Sequence, residues 1–143
     1  MIVYIMVALM LIYESIVDIK KRYIHIRPVV VTGLLGGILN IALYGHKTDF
    51  LLEGAAVGGI LLLMAFASRQ QIGYGDAVVF ISLGICLGPA GALWVLWLSM
   101  VGSAVAGLVK LIRKKGGWHS KLPYIPFVTS GYMVLLPFMF MKP

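Results

Sequence analysis

Six long apolar runs dominate this chain and restrict it to folds in which most side chains face a nonpolar environment. They cover residues 2–19, 28–44, 50–68, 74–87, 90–112 and 122–140. A helix that crosses about 30 Å of hydrocarbon needs about 20 mostly apolar residues. Hydrophobic residues make up 61% of the chain and charged residues only 12%, whereas soluble domains contain about 25% charged residues. The runs therefore predict an integral membrane protein.

The pattern within the runs indicates helices rather than strands. Membrane-spanning strands alternate polar and apolar residues over about 10 positions, and none of the six runs alternates in this way. The prediction is an all-α, polytopic membrane protein, a bundle of six transmembrane helices in one domain that covers residues 1–143. The first run lacks a basic segment before it and a cleavage site after it, so we expect a retained span rather than a removed signal peptide.

Basic residues are concentrated in the odd-numbered loops between the runs. The first loop holds Lys20, Lys21, Arg22 and Arg27, the third holds Arg69, and the fifth region holds Lys110, Arg113, Lys114, Lys115 and Lys121. Short cytoplasmic loops carry the excess of Lys and Arg. This distribution predicts odd loops in the cytoplasm and both termini outside, across the cytoplasmic (inner) membrane. The net charge of +7 is then explained by the orientation of the chain in the membrane and by contact with membrane lipid. No nucleic-acid partner is predicted.

Two carboxylates stand at the ends of apolar runs on the same predicted side. Asp18 lies near the end of the first run, and Asp76 begins the fourth run within the sequence Gly73-Tyr74-Gly75-Asp76. Ionised groups at membrane depth are costly and usually line a site or a water-filled cavity. Considered alone, Asp18 could be an ordinary residue at the membrane interface. Asp76 alone could be the N-cap of a helix. Their coincidence, in a chain with five acidic residues, indicates a shared site.

Peptide hydrolysis is a reaction that two adjacent carboxylates can perform without a metal or cofactor. A pair that shares one proton has an ionised member, which takes a proton from water, and a protonated member, which polarises the scissile amide. The sequence leaves open which aspartate is the base and which the acid, because such a pair titrates as a unit. The hypothesis from the residues is an intramembrane aspartyl peptidase with the active site at the cytoplasmic side.

Other polar residues offer weaker candidates. Glu14 lies one helical turn before Asp18 on the same face. It either tunes the pair or binds substrate, or it is an interior residue hydrogen-bonded to a neighbouring helix. Gln70 and Gln71 precede the glycine-rich segment and either bind an extended substrate backbone or are simply solvated.

Metal binding is not predicted. The three histidines occur in separate loops without ligand spacing, and the single cysteine, Cys86, lies within an apolar run.

Glycine pairs at four-residue spacing, such as Gly54/Gly58 and Gly84/Gly88, predict close helix packing or self-association.

Three segments together resemble the type IV prepilin peptidases. Residues 18–24 (DIKKRYI) are similar to the family's D-x-x-x-x-x-I segment, residues 73–76 (GYGD) match its GxGD element, and residues 123–127 (PYIPF) look like its proline-rich turn before the last helix. The resemblance implies a membrane aspartyl endopeptidase that removes leader peptides from prepilins or pseudopilins at the cytoplasmic face. It implies that Asp18 and Asp76 are the catalytic pair and that Gly73 and Gly75 shape the loop presenting Asp76.

The chain also departs from the family pattern. It has His25 where the family often has proline, and Val78 where the family often has lysine. It lacks the four-cysteine insert of larger members, which also methylate the processed pilin, so cleavage without N-methylation is expected. The alternatives are an archaeal-type preflagellin peptidase, a small ion or proton transporter that uses the two aspartates, and a structural subunit of a pilus or secretion assembly.

Overall fold

The regular structure of the chain is helical throughout the described residues. The computed structural model describes residues 1–69, 73–113 and 123–141. Five helices occupy these ranges, namely α1 (Ile2–Lys21), α2 (Ile26–Tyr44), α3 (Thr48–Ala67), α4 (Tyr74–Ile112) and α5 (Ile125–Met141). Of these described helices, α1 to α4 are long and apolar enough to cross a membrane, whereas α5 has 17 residues. The prediction of an all-α fold is confirmed.

Helix α4 combines the fourth and fifth predicted runs and reverses its direction at Gly88. Gly88 has φ 78° and ψ 176°, outside the helical region. Asp76 and Met100 line the same cavity, although a straight helix would separate them by about 36 Å at about 1.5 Å per residue. Helix α4 therefore consists of two segments, 74–87 and 89–112, that fold back on each other. Six separate transmembrane helices are not confirmed, because only one non-helical residue divides these two segments.

The residues around the reversal explain why the chain turns there. A positive φ favours glycine, and a Cβ at Gly88 would also overlap the ring of Phe50. Pro89 has no N–H to donate to the carbonyl of Ile85. The Asn40 side chain from α2 supplies the missing donor, because its Nδ2 lies 2.9 Å from Ile85 O and 3.0 Å from Cys86 O. The end of the first segment is thus capped by a neighbouring helix.

The largest helix–helix interface joins α3 to α4 and depends on glycine. A Cβ on Gly54 would overlap the carbonyl oxygen of Gly84, a Cβ on Gly84 would overlap that of Gly54, and a Cβ on Gly58 would overlap the backbone of Ile81. Backbones approach this closely only where the side chains are absent. The glycine pairs singled out in the sequence therefore serve packing within the chain.

Helices α1 and α5 run antiparallel and align the two ends of the bundle. The Tyr132 hydroxyl donates to Tyr4 O (2.8 Å), and the Thr129 hydroxyl lies 3.2 Å from Leu11 O. This register places the start of α5 beside the end of α1, where Asp18 lies. Large apolar side chains that are exposed in the isolated chain, such as Leu63 and Phe138, cover the outside and suit a lipid environment.

Candidate active site

Asp18 is held where the end of α1 meets the start of α5. Its side chain is 8% exposed, and its Oδ2 accepts a hydrogen bond from the backbone N–H of Ile125 at 3.2 Å. Helix α1 ends three residues later, because Arg22 adopts a left-handed conformation with φ 57° and donates its N–H to Asp18 O. One carboxylate oxygen of Asp18 is therefore tied to the proline-containing segment that begins α5.

Asp76 is the third residue of α4, in the first helical turn. The N-cap of this helix is Gly73, so the alternative in which Asp76 itself caps the helix is wrong. A carboxylate in the first turn is favoured by the helix dipole. A Cβ at Gly73 would lie 3.0 Å from Asp76 Oδ2, so glycine at this position leaves room for the carboxylate.

Gly75 brings the two aspartate-bearing segments into contact. Gly75 lies in the first turn of α4 rather than in a preceding loop. A Cβ at Gly75 would lie 2.8 Å from Ile24 Cδ1 and 3.2 Å from Ile24 Cβ. Ile24 belongs to the short connection between α1 and α2, six residues after Asp18. The segment that follows Asp18 therefore packs directly on the turn that carries Asp76.

Both aspartates line one cavity of about 930 Å³ at this end of the bundle. The charge distribution of the sequence placed them on the same side, and the structure brings them to the same cavity. The rest of the lining is mostly apolar and includes Ile24, Leu61, Phe80, Leu96 and Met100. A cavity with two carboxylates and apolar walls can hold water and an extended peptide next to acid–base groups.

Glu14 lies apart from this cavity and has a structural partner. It is fully buried, and its Oε2 accepts the backbone N–H of His25 at 3.0 Å. His25 is the N-cap residue of α2. Oε1 of Glu14 has no hydrogen-bond partner within the described part of the chain. This geometry favours the alternative in which Glu14 is an interior residue that ties α1 to the start of α2.

Gln70 and Gln71 lie outside the described residues. Within the described ranges, no group of three or more His, Cys, Asp and Glu side chains could hold a metal ion.

Two residues of the cavity region were missed by reasoning from the sequence. Tyr124 lines the cavity, and its hydroxyl lies 2.7 Å from the Ser99 hydroxyl on the second segment of α4. Reasoning from the sequence assigned neither Tyr124 nor Ser99 to the site. The one signal in the sequence that points to Tyr124 is its hydroxyl-bearing side chain between Pro123 and Pro126. The pairing with Ser99 depends on the reversal of α4, which local sequence does not reveal.

Comparison with known proteins identifies the family. Residues 5–108, which include both aspartates and the GxGD segment, match the sequence profile of the type IV leader peptidase family. No curated protein and no solved structure matches the chain. The apolar helices and the family together indicate a multi-pass membrane protein. Because the match covers well over half of its length, the chain belongs to the type IV leader peptidase family.

Proposed function

We propose that this protein is a membrane aspartyl endopeptidase that removes the leader peptide of type IV prepilins or pseudopilins. The observation that carries the proposal is the presence of Asp18 and Asp76 on one cavity in a member of a leader peptidase family. Family membership supports the peptidase activity. The two carboxylates supply the chemistry that makes it an aspartic-type enzyme.

The reaction follows from two carboxylates that share one proton. The ionised member takes a proton from water as the water oxygen attacks the scissile carbonyl carbon. The protonated member gives its proton to the carbonyl oxygen, and a tetrahedral intermediate forms. As the C–N bond breaks, the carboxyl group that is now protonated gives its proton to the leaving nitrogen. The carboxylate that is now ionised takes a proton from one hydroxyl of the intermediate, and the carbonyl re-forms. Asp18 and Asp76 exchange these roles as a coupled unit, and no metal or cofactor takes part.

The proposed topology places this chemistry at the cytoplasmic face of the cytoplasmic membrane. The six helical segments cross the bilayer, the basic end of α1 with Lys20 and Lys21 lies inside, and both termini lie outside. A substrate would keep its leader in water and its hydrophobic helix in lipid. The apolar lining of the cavity, which includes Phe80 and Leu96, suits the junction of these two parts. Cleavage is proposed to occur without N-methylation.

The direct test is replacement of each aspartate by its amide. In proteoliposomes, we expect Asp18→Asn and Asp76→Asn each to lower the rate of prepilin cleavage by about 10²–10⁴-fold, the typical contribution of general acid–base groups. Product masses measure cleavage, and membrane insertion should be unchanged. Asp49→Asn is the matched control, since Asp49 is an exposed acid in the first turn of α3. Full activity of either active-site variant would refute the assignment.

The same preparation separates the alternatives. An archaeal-type preflagellin peptidase would cleave preflagellins in preference to prepilins and would depend on the same aspartates. A transporter would produce ion flux across the liposome membrane and no shortened peptide.

A further inference from the structure

Tyr124 is fixed next to the active-site cavity by its neighbours on both sides. It lies between Pro123 and Pro126, which restrict the backbone, and the next residue, Ile125, donates its N–H to Asp18. The Tyr124 side chain lines the cavity that contains Asp18 and Asp76. Its position relative to the carboxylates is therefore set by the same segment that holds Asp18.

The hydrogen bonds of Ser99 determine which way the Tyr124 hydroxyl points. The Ser99 Oγ lies 2.8 Å from the carbonyl oxygen of Leu96 and 2.7 Å from the Tyr124 hydroxyl oxygen. A carbonyl only accepts, and a serine has one hydrogen to donate. Ser99, which is fully buried, therefore donates to Leu96 and accepts the hydrogen of Tyr124.

This arrangement leaves acceptor capacity on the hydroxyl oxygen of Tyr124, a residue that lines the cavity. Its hydrogen is engaged by Ser99, and its remaining lone pairs are free of that bond. A peptide that enters the mostly apolar cavity brings backbone N–H groups, and burying them without an acceptor is costly. The carboxylates are engaged in the reaction, so a neutral oxygen on another residue of the same cavity serves this need.

We infer that Tyr124 binds the substrate directly by accepting a hydrogen bond from one of its backbone N–H groups near the scissile bond. Ser99 is a positioning residue that acts through Tyr124. The inference rests on the proposed peptidase function and adds a specific contact to it. The variant Tyr124→Phe tests this contact, because it removes the acceptor oxygen and keeps the ring and its packing.

The experiment combines this variant with a backbone change in the substrate. Synthetic prepilin peptides that span the cut carry an ester in place of one amide at a time, which removes a single N–H. The scissile amide itself is left unchanged, because an ester there would hydrolyse more readily. The full-length protein in liposomes cleaves each peptide, and kcat/KM is measured for the unmodified chain, Tyr124→Phe and Ser99→Ala. Tyr13→Phe, an exposed tyrosine on α1, is the control.

We expect Tyr124→Phe to lower kcat/KM by about tenfold, at the upper end of what one hydrogen bond contributes. One ester position should lower kcat/KM by a similar factor in the unmodified protein and cause no further loss in Tyr124→Phe, because both changes break the same bond. Ser99→Ala releases the tyrosine hydrogen and should cause a smaller loss. The ratio of ester to amide rates within each variant does not depend on how much protein folds.

The inference is overturned if each ester lowers kcat/KM by the same factor in Tyr124→Phe as in the unmodified protein. If Tyr124→Phe cleaves too slowly to measure, the same peptides are compared by binding affinity in Asp76→Asn and in Asp76→Asn with Tyr124→Phe. The inference is also overturned if the losses of binding affinity from the ester and from Tyr124→Phe are additive in these proteins. These outcomes leave the aspartate test intact, whereas cleavage without either aspartate would refute the proposed function itself.

Discussion

The two ends of the first segment of α4 differ in how they use glycine. Toward Gly88, glycine brings helices into backbone contact, as Gly54 and Gly84 do between α3 and α4. Toward Asp76, glycine makes room for side chains, since Gly73 leaves space for a carboxylate and Gly75 for Ile24, and the neighbouring region opens into a cavity of about 930 Å³. One residue type thus allows backbone contact at one end and side-chain placement at the other.

Polar side chains differ between these regions in the same way. In the packed region, Asn40 and Ser82 both donate to backbone carbonyls of neighbouring helices. At the cavity end, Asp18 accepts one backbone N–H through a single oxygen, and the hydroxyl of Tyr124 pairs with that of Ser99. If the proposed function is correct, the packed region mainly supplies stability and the cavity end carries the chemistry. Mutations should therefore separate the two.

The largest effect on folding is expected from Gly84→Ala. Its methyl group would overlap the carbonyl oxygen of Gly54, and helices α3 and α4 would have to move apart. Overpacking of this kind typically costs about 1–3 kcal/mol, and occasionally more. We expect the midpoint of thermal unfolding in detergent to fall by several degrees.

Gly59→Ala is the matched control for that variant, because a Cβ at Gly59 meets nothing within 4 Å. It should leave the unfolding midpoint unchanged or raise it slightly, since alanine favours helix by about 0.5–1 kcal/mol relative to glycine. Equal stability of the two variants would show that the glycine contact does not hold α3 against α4.

An intermediate effect, on activity rather than folding, is expected from Gly75→Ala. The new methyl group would press on Ile24 and displace either the connection after Asp18 or the turn that carries Asp76. We expect cleavage to slow by about tenfold, which corresponds to about 1.4 kcal/mol in the activation free energy, while the unfolding midpoint changes little.

The double variant Gly75→Ala with Ile24→Ala tests whether that contact is the cause. Shortening Ile24 makes room for the new methyl group, so cleavage should recover relative to Gly75→Ala alone. A double variant that is slower than both single variants would argue that the two segments do not act through this contact.

The smallest effect is expected from Glu14→Gln. The amide oxygen of glutamine can still accept the N–H of His25, so cleavage should stay within about twofold of the unmodified rate. Glu14→Ala leaves that buried N–H without its acceptor and should destabilise the protein by about 1–3 kcal/mol. Complete loss of cleavage in a folded Glu14→Gln protein would instead show that the charge of Glu14 takes part in the reaction.

Much of the fold could be predicted from local sequence, because a membrane constrains each apolar run separately. The length and polarity of the runs predicted an all-helical fold, and each described run does form helix. The charge pattern also indicated that Asp18 and Asp76 share one side. These properties depend on how each segment partitions between water and lipid, and that preference is set by composition.

The N-cap interpretation of Asp76 failed for a local reason. Gly73 already occupies the capping position three residues earlier, and a glycine there carries no side-chain signal by which the sequence could reveal it. The role of Glu14 was left between two alternatives, because its partner, the His25 N–H, is defined only by how α1 meets the start of α2.

The sequence by itself determined that this chain is a helical membrane protein with two carboxylates at one side. Only the tertiary structure decided that α4 reverses at Gly88, that Ile125 donates to Asp18, and that the hydroxyls of Ser99 and Tyr124 meet. Such contacts join residues that are distant in the chain. They depend on which helices become neighbours, and no local pattern of hydropathy or charge encodes that choice.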